Sequence, residues 1–565
     1  MATNKPVGTT GTAPTSATKL QVTVRLYRQG FGDCFLLTFR RGPDVRHMLI
    51  DCGVLKGDSA GEDRIKDVVA NIKETVRGRL DLLVVTHEHW DHVSGFLQAQ
   101  EIFDGIEVGK VWLAWTEDPK DPLATDIRNS RALEIAALTA AYEQVKDNKE
   151  LWLGNDEAPD IWTKINDVLG FFGDTSTAAS VADVAEATSQ LGVDAEGAKK
   201  KDAGSAGKGN STQAALNYIK ERNDWEKVYL RPGTTQSLPG VEGVRFHVLG
   251  PPEDLEAIRR TESEREGVLY EYGPSVEDSF RLALLPAEVI ASNPLTNRDY
   301  LKVDRCYPFD QHYCISEDDL RRDAAKAAEA EKANKEQKNA PVQADGTDVD
   351  FFRKHYGFTE SDNDLAPPWR RIAGDWLLGA GDFALALDSA TNNTSLALAI
   401  ELVGSGKVLL FPGDAQVGNW QSWKKYEWTL EEESGTGEPK KVKIADLLGR
   451  TVLYKVSHHG SHNGTLRNDG LELMNNSELV ALIPVNQEVA KHKGKSGWNM
   501  PFPSLAYRLK EKTRGRIIRT DTGMPDRKDC QDLSDTEWAK FNQNTPVPPD
   551  TDLYIDCIIE DSKEQ

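Results

Sequence analysis

The amino-acid sequence predicts an α/β (α+β) fold in which short buried strands alternate with helices and two large insertions interrupt the core. Three observations carry this. Apolar runs of strand length occur at residues 81–86, 408–411 and 452–456. Helical spacing separates the early runs. Two long stretches poor in bulky residues, 175–212 and 320–339, break the pattern.

Taken in order, Met1 to Thr18 is rich in Thr, Ala, Gly and Pro and lacks the continuous apolar core of a signal peptide, so it reads as disordered. Residues 22–27 alternate apolar and polar, as a half-buried strand does. A turn follows at Gly30-Phe31-Gly32-Asp33, then strand-like runs at 34–39 and 47–50. Ile65, Val68, Val69, Ile72 and Val76 have helical spacing. The run 81–86 reads as a buried strand, 111–115 as the next strand and 123–147 as a charged helix. A strand pattern resumes at 244–249, with His247 inside it as a structural residue. The core returns at 394–402, continues at 408–411, 452–456 and 479–484, and closes at 516–519. The expected divisions are a disordered 1–19, a core first half at 20–116 and a mainly helical insertion with a flexible segment at 117–240. A core strand at 241–255, a second insertion at 256–390, a core second half at 391–530 and a C-terminal extension at 531–565 follow.

The chain has 565 residues, more than one hydrophobic core usually supports, which fits a core with insertions. Hydrophobic content of 39% and charged content of 28% are those of a soluble globular protein. A net charge of −22 excludes general coating of nucleic acid, because phosphate repels it, while leaving room for a local basic channel. The six cysteines include no CxxC pair and read as reduced thiols of a cytoplasmic protein. Cys306 and Cys314 flank His312 at a spacing that matches no usual zinc module. No stretch approaches the ~20 apolar residues that span a bilayer.

The chemistry concentrates in His87-x-His89-x-Asp91-His92, three imidazoles and a carboxylate within six residues at the end of an apolar strand. Imidazole with carboxylate suits zinc and similar first-row ions. A single histidine is more often a satisfied core or surface residue, but that does not explain the cluster. Two more strands end in candidate ligands: one in Pro412-Gly413-Asp414, the other in Ser457-His458-His459-Gly460-Ser461-His462. Alone, a Gly-Asp after a strand is usually a turn. In this order the segments form a set.

That set resembles the metallo-β-lactamase superfamily, and most closely the soluble hydrolase domain of bacterial DNA-uptake (competence) channel proteins. The residues carrying the resemblance are Gly32-Asp33-Cys34, Ile50-Asp51-Cys52-Gly53, Thr86 to His92, Asn393-Thr394-Ser395, Gly413-Asp414 and His458-His459-Gly460-Ser461. It covers about residues 20–115, 240–255, 390–415 and 450–525, leaving both insertions outside. The resemblance implies a four-layer αββα sandwich, a bacterial setting and two divalent ions, zinc or else manganese. His87 and His89 would hold one ion. Asp91, His92 and one of His458 and His459 would hold the other, with His458 favoured because it follows the strand more closely. Asp414 would bridge them, and Asp51 would orient a liganding histidine. Two departures stand out. No histidine takes the place, before the bridging aspartate, where many superfamily members have one. Phe502 replaces the histidine of a C-terminal His-Pro-Ser, so His462 or His492 becomes the candidate proton donor.

The implied chemistry is hydrolysis, with Asp91 and Asp414 positioning a water whose pKa the ions lower. His89, where oxygen-reducing relatives have glutamate, disfavours redox chemistry. Residues 451–528 carry 13 Lys and Arg against 7 Asp and Glu, an excess in an otherwise acidic chain. Lys491, Lys493 and Arg508 are the candidate contacts to an anionic substrate: DNA, RNA or a nucleotide. An ordinary charged helix face explains them nearly as well. Trp498 and Tyr507 are candidate base-stacking residues, although lone aromatics usually belong to cores. The expected function is a phosphodiesterase or nuclease. The alternatives are hydrolysis of a carbonyl substrate (lactone, thioester or β-lactam), or a partner-binding module that uses the insertions.

Overall fold

The alternation at 22–27 becomes β1 (Leu20–Tyr27), whose Leu20, Val22, Val24 and Leu26 are buried on one face. The computed structural model describes residues 19–147, 158–173, 211–260, 375–430, 440–493 and 497–562. The readings made on Met1 to Thr18, on nearly all of 175–212, on 320–339 and on Cys306, His312 and Cys314 lie outside the described residues.

β1 pairs antiparallel with β2 (Cys34–Arg41), and β2 with β3 (Asp44–Cys52). From β3 the sheet runs parallel through β4 (Arg79–Val85), β5 (Glu107–Ala114) and β6 (Glu226–Leu230). A second sheet starts from β7 (Thr235–Gln236), β8 (Val244–Val248), β9 (Leu398–Leu402) and β10 (Val408–Phe411). A separate hairpin, β11 (Glu427–Leu430) and β12 (Lys440–Lys443), stands apart. The second sheet then continues through β13 (Thr451–Lys455), β14 (Val480–Ile483) and β15 (Ile517–Arg519). Its last four strands, β10-β13-β14-β15, are parallel.

One apolar core lies between the two sheets. Val22, Val24, Phe35, Leu37, Ile50 and Leu82 of the first meet Phe246, Leu398, Ile400, Leu409, Phe411 and Leu453 of the second. The outer face of the first sheet is covered by α1 (Ser59–Thr75), through Ile65, Val68, Val69 and Ile72. The side chain of Asp58 caps α1 by accepting from the Gly61 N–H, and so fixes where the helix starts. Leu447, Leu448, Leu505 and Leu509 cover the outer face of the second sheet. The layers are therefore helix, sheet, sheet, helix: an α+β sandwich.

Three elements depart from the sequence reading. The strands do not close at 516–519, because β16 (Tyr554–Glu560), in the expected extension, pairs with β1 and buries Ile555, Cys557 and Ile559 by alternation. Part of the expected first insertion is core. The helix Thr212–Glu221 buries Ala215, Leu216 and Ile219 under the first sheet, and β6 completes that sheet's edge. The strand expected over 394–402 begins only at Leu398. The preceding polar side chains make other bonds: Asn393 Nδ2 donates to the Ile258 and Arg260 carbonyls, and Ser395 Oγ accepts from the Asp414 N–H.

The helices Pro122–Asp147, Ala158–Gly170 and Asp375–Asn392 come from both insertions and share a small core of Leu138, Ile165, Leu169, Phe172, Phe383 and Leu387. Among the described residues no helix is long and apolar enough to cross a membrane.

His247 lies in β8, its Nε2 2.9 Å from Glu401. Glu401 also accepts from Arg450 and Arg245. Burial alone would raise its carboxyl, but the bonds from His247 and Arg450 outweigh that and hold it at about 2. A depressed carboxyl contributes stability that is present above its ordinary pKa and lost as pH falls through the folded value. Glu401→Gln is therefore expected to flatten the acid limb of the stability curve between about pH 4.5 and 2. It should cost on the order of 3 kcal/mol at neutral pH. Urea unfolding at several pH values checks both.

Candidate metal centre

Four strand ends meet at one mouth of the sandwich. β3 ends in Asp51-Cys52, β4 runs out into Thr86 to His92, β10 leads into Asp414, and β13 leads into His458-His459. The Leu396 N–H donates to the Thr86 carbonyl at 2.9 Å, tying the two sheets together there. Gly53 lies so close to the start of the helix Trp90–Gln98 that a Cβ would meet the Asp91 carbonyl carbon at 2.3 Å. Only glycine permits that approach.

Asp51 has a left-handed φ of 54°. Its carboxylate accepts from the Thr86 N–H at 2.8 Å and the Thr86 hydroxyl at 2.6 Å, and stands 2.8 Å from His92 Nδ1. With that nitrogen donating, His92 turns Nε2 inward, 3.1 Å from Asp414 Oδ2 and 3.9 Å from Asp91 Oδ2. His459 is held the same way. Its Nδ1 lies 2.7 Å from the Pro484 carbonyl, and its Nε2 is 2.8 Å from Asp91 Oδ2 and 3.1 Å from Asp414 Oδ2. His458 turns elsewhere, to Ser461 at 2.7 Å and Gln416 at 2.9 Å. Both histidines have left-handed φ values, 47° and 52°, a strained pair of the kind found at functional sites.

His87 Nε2 and His89 Nδ1 lie 3.0 Å apart, side by side. His89 packs against Phe171 and Phe172, which follow Ala158–Gly170, one of the three insertion helices that together form a cap, and Phe171 stacks on Trp498 at 5.3 Å. Trp498 is thus wall, not an open stacking platform. Arg131 of the cap bonds Glu88 at 2.9 Å and Thr394 at 3.2 Å, anchoring the histidine loop.

Asp33, His92, Asp414 and His459 are all buried and offer ligand atoms within 4.8 Å of one another, so the group can hold a metal ion. The donor set fits such an ion. Asp33 Oδ1, His89 Nε2, Asp91 Oδ1, His92 Nε2 and Asp388 Oδ1 are buried without hydrogen-bond partners. Folded proteins rarely leave such groups unpaired. Burial by itself would raise the Asp414 and Asp91 carboxyls. Lys455, His459 and His92 outweigh it at Asp414, and His92 and the His459 hydrogen bond do so at Asp91, holding both below the usual range. Burial would lower His459, but Asp414 and the bonds to Asp414 and Asp91 hold it at about 10. Burial pushes His89 down to about 3 and His87 well below its ordinary value, which leaves both rings in the neutral, liganding form.

Three members of this site had no role in the sequence reading. Asp33 stood in the Gly32-Asp33-Cys34 motif unassigned. Lys455 is 1% exposed, with Nζ 2.6 Å from Asp33 Oδ2, 2.7 Å from Asp414 Oδ1 and 2.8 Å from the Gly413 carbonyl. A lysine inside an apolar strand is the signal that marks it. Asp388, on the helix Asp375–Asn392, lies 3.9 Å from His89 Nε2, and burial with the charges of Asp91 and Asp414 pushes its carboxyl up to about 8.

Other candidates lie outside the cluster. His462 is exposed, edge-on to Phe502 at 6.0 Å. His492 is exposed, with Nδ1 2.6 Å from the Glu488 carbonyl. The basic run is largely paired: Lys491 with Glu488, Arg508 with Glu472 and Glu511, Lys510 with Asp529, and Arg514 with Glu537. Lys493 lies 3.9 Å from Asp167 and donates to the Lys56 carbonyl. Such pairing is what the charged-surface reading of the run expects. Arg508→Ala is accordingly expected to cost about 1 kcal/mol or less and to leave metal content unchanged, as denaturation and elemental analysis would show.

No family model and no curated protein matches the chain.

Proposed function

We propose that this chain is a metal-dependent hydrolase of the metallo-β-lactamase type, with two divalent ions, zinc or manganese, held between the sheet ends. The observation that carries the reading is the buried set Asp33, His92, Asp414 and His459, with ligand atoms within 4.8 Å, beside the neutral pair His87 and His89. Such ions supply charge neutralisation on an attacked oxygen and lower the pKa of water. Around them, Asp51 and the Pro484 carbonyl fix the rings of His92 and His459, and Asp91 and Asp414 orient the attacking water. Phe31, 4.4 Å from the His459 ring, joins Phe171 and Trp498 in keeping bulk water out.

The substrate reading is a phosphodiester of nucleotide size. Cap residues reach His89 and His458, which favours a small substrate over a duplex, and the paired basic run offers a long polyanion little. That same pairing, with the apolar wall, favours a carbonyl ester as the second reading. A partner-binding module without chemistry has no use for so many buried ligand atoms.

The test combines elemental analysis of the purified protein with hydrolysis of bis(p-nitrophenyl) phosphate and p-nitrophenyl acetate under Zn, Mn, Mg and Ni. Bound transition metal, and phosphodiester cleavage lost on chelation and restored by metal, are expected. A protein that neither carries nor takes up metal would sink the proposal. Cleavage of the acetate alone would move it to the second reading.

A further inference from the structure

We infer that Asp388, delivered by the helix Asp375–Asn392 from the second insertion, is a positioning residue that fixes the ring of His89 for metal binding. The inference rests on the metal-centre reading above. Four histidines stand at the site, and three have one ring nitrogen against a fixed partner. His87 Nδ1 is 3.1 Å from the Thr86 hydroxyl, His92 Nδ1 is 2.8 Å from Asp51, and His459 Nδ1 is 2.7 Å from the Pro484 carbonyl. The other nitrogen of His92 and of His459 faces the cluster, and that of His87 lies 3.0 Å from His89 Nδ1. His89 is the exception. Its Nδ1 turns to His87 Nε2, and its Nε2 has no hydrogen-bond partner.

What that nitrogen faces is Asp388 Oδ1, 3.9 Å away and itself without a hydrogen-bond partner. His89 is 1% exposed and Asp388 8% exposed, so bulk water does not satisfy either. An unpaired buried polar group costs about 1–3 kcal/mol. The 3.9 Å gap is too long for a hydrogen bond, but a small side-chain movement closes it. The proton bookkeeping then balances. When Nδ1 of a neutral imidazole gives its lone pair to an ion, the ring proton resides on Nε2 and needs an acceptor. Asp388 Oδ1 is that acceptor, and no bond is made or broken beyond this hydrogen bond.

The carboxyl group is itself held. Asn392, four residues on along the same helix, donates from Nδ2 to Asp388 Oδ2 at 3.1 Å, which leaves Oδ1 for His89. The same helix packs Phe383, Ala384 and Leu387 into the cap core, so its register is fixed by apolar burial. The cap thereby supplies the partner that the sandwich strands do not, and the second insertion becomes part of the metal centre.

The experiment is competitive zinc titration of the full chain and its variants, with the visible spectrum of the cobalt-substituted proteins as a second readout. Asp388→Ala is expected to weaken one ion by about 10–100-fold and to change the cobalt spectrum. Asp388→Asn keeps an acceptor oxygen and is expected to bind within a few-fold of the parent. Thermal unfolding without metal serves as a folding control, and reads separately any stability lost with the Asn392 bond. If Asp388→Ala binds both ions as tightly as the parent, the inference is overturned while the metal centre stands. If Asp388→Asn is as weak as Asp388→Ala, charge or direct ligation is at work and the positioning role is overturned. A parent that takes up no metal overturns both readings.

Discussion

His459→Ala is expected to lose most of one ion and about 1000-fold or more in phosphodiester hydrolysis, whereas His458→Ala loses far less. A factor of 1000 is about 4 kcal/mol of transition-state stabilisation. That is a reasonable share for a group whose removal both opens a coordination position and unfixes Asp91 and Asp414. The neighbouring histidines make a sharp internal control because local sequence alone cannot separate them. His459 has one nitrogen on the Pro484 carbonyl and the other against both carboxylates. His458 has its Nδ1 against Ser461 and Gln416, and its Nε2 reaches no closer than 3.4 Å to Asn392. Metal content and turnover of the two variants, compared at matched stability, decide the matter. Equal losses, or a larger loss for His458→Ala, would mean that the ring facing Asp91 is not the one that holds the ion.

The choice between these two residues shows what the sequence could carry. Strands with a strong local signature were readable: the alternation of β1, the apolar runs of β4 and β10, and the helical spacing of α1 all depend on nearest neighbours. So was the cluster Thr86 to His92, since its candidate ligands lie within six residues of one another. Proximity alone favoured His458, but two successive left-handed residues swing His459 into the site instead. β16 was missed because its partner β1 lies more than 500 residues away in the chain, and its seven residues give only a weak alternating pattern. Asp388 and Lys455 were missed for the same reason. A carboxylate on an insertion helix and a lysine in a strand acquire meaning only from what long-range packing sets against them. The excess in the basic run was partly a matter of the window: Asp529 and Glu537, which pair Lys510 and Arg514, lie beyond it, whereas Glu472 and Glu488, which pair Arg508 and Lys491, were counted within it.

Lys455→Met is expected to be the most destabilising single change at the site, by about 3–5 kcal/mol without metal. The ammonium has three donors and three acceptors: Asp33 Oδ2, Asp414 Oδ1 and the Gly413 carbonyl. Burying an ammonium is costly, and Asp33 and Asp414 compensate for it by holding the group charged. Methionine fills similar volume, so the loss is not a cavity effect. What remains is two buried carboxylates without their shared cation, and removing one partner of a buried ion pair costs more than never having had the pair. Two further outcomes follow from the same charges. Zinc should recover more stability in Lys455→Met than in the parent, since an ion at the cluster replaces part of the missing positive charge. The double variant Lys455→Met with Asp33→Asn should be more stable than the single one, because the remaining carboxylate, Asp414, still faces His459 and His92. Urea unfolding of the three proteins, with and without zinc, measures all of these. If Lys455→Met unfolds at the parent's urea concentration, the ammonium is not what balances the carboxylates. The cluster would then have to be neutral by protonation, with too little negative charge to attract a divalent ion.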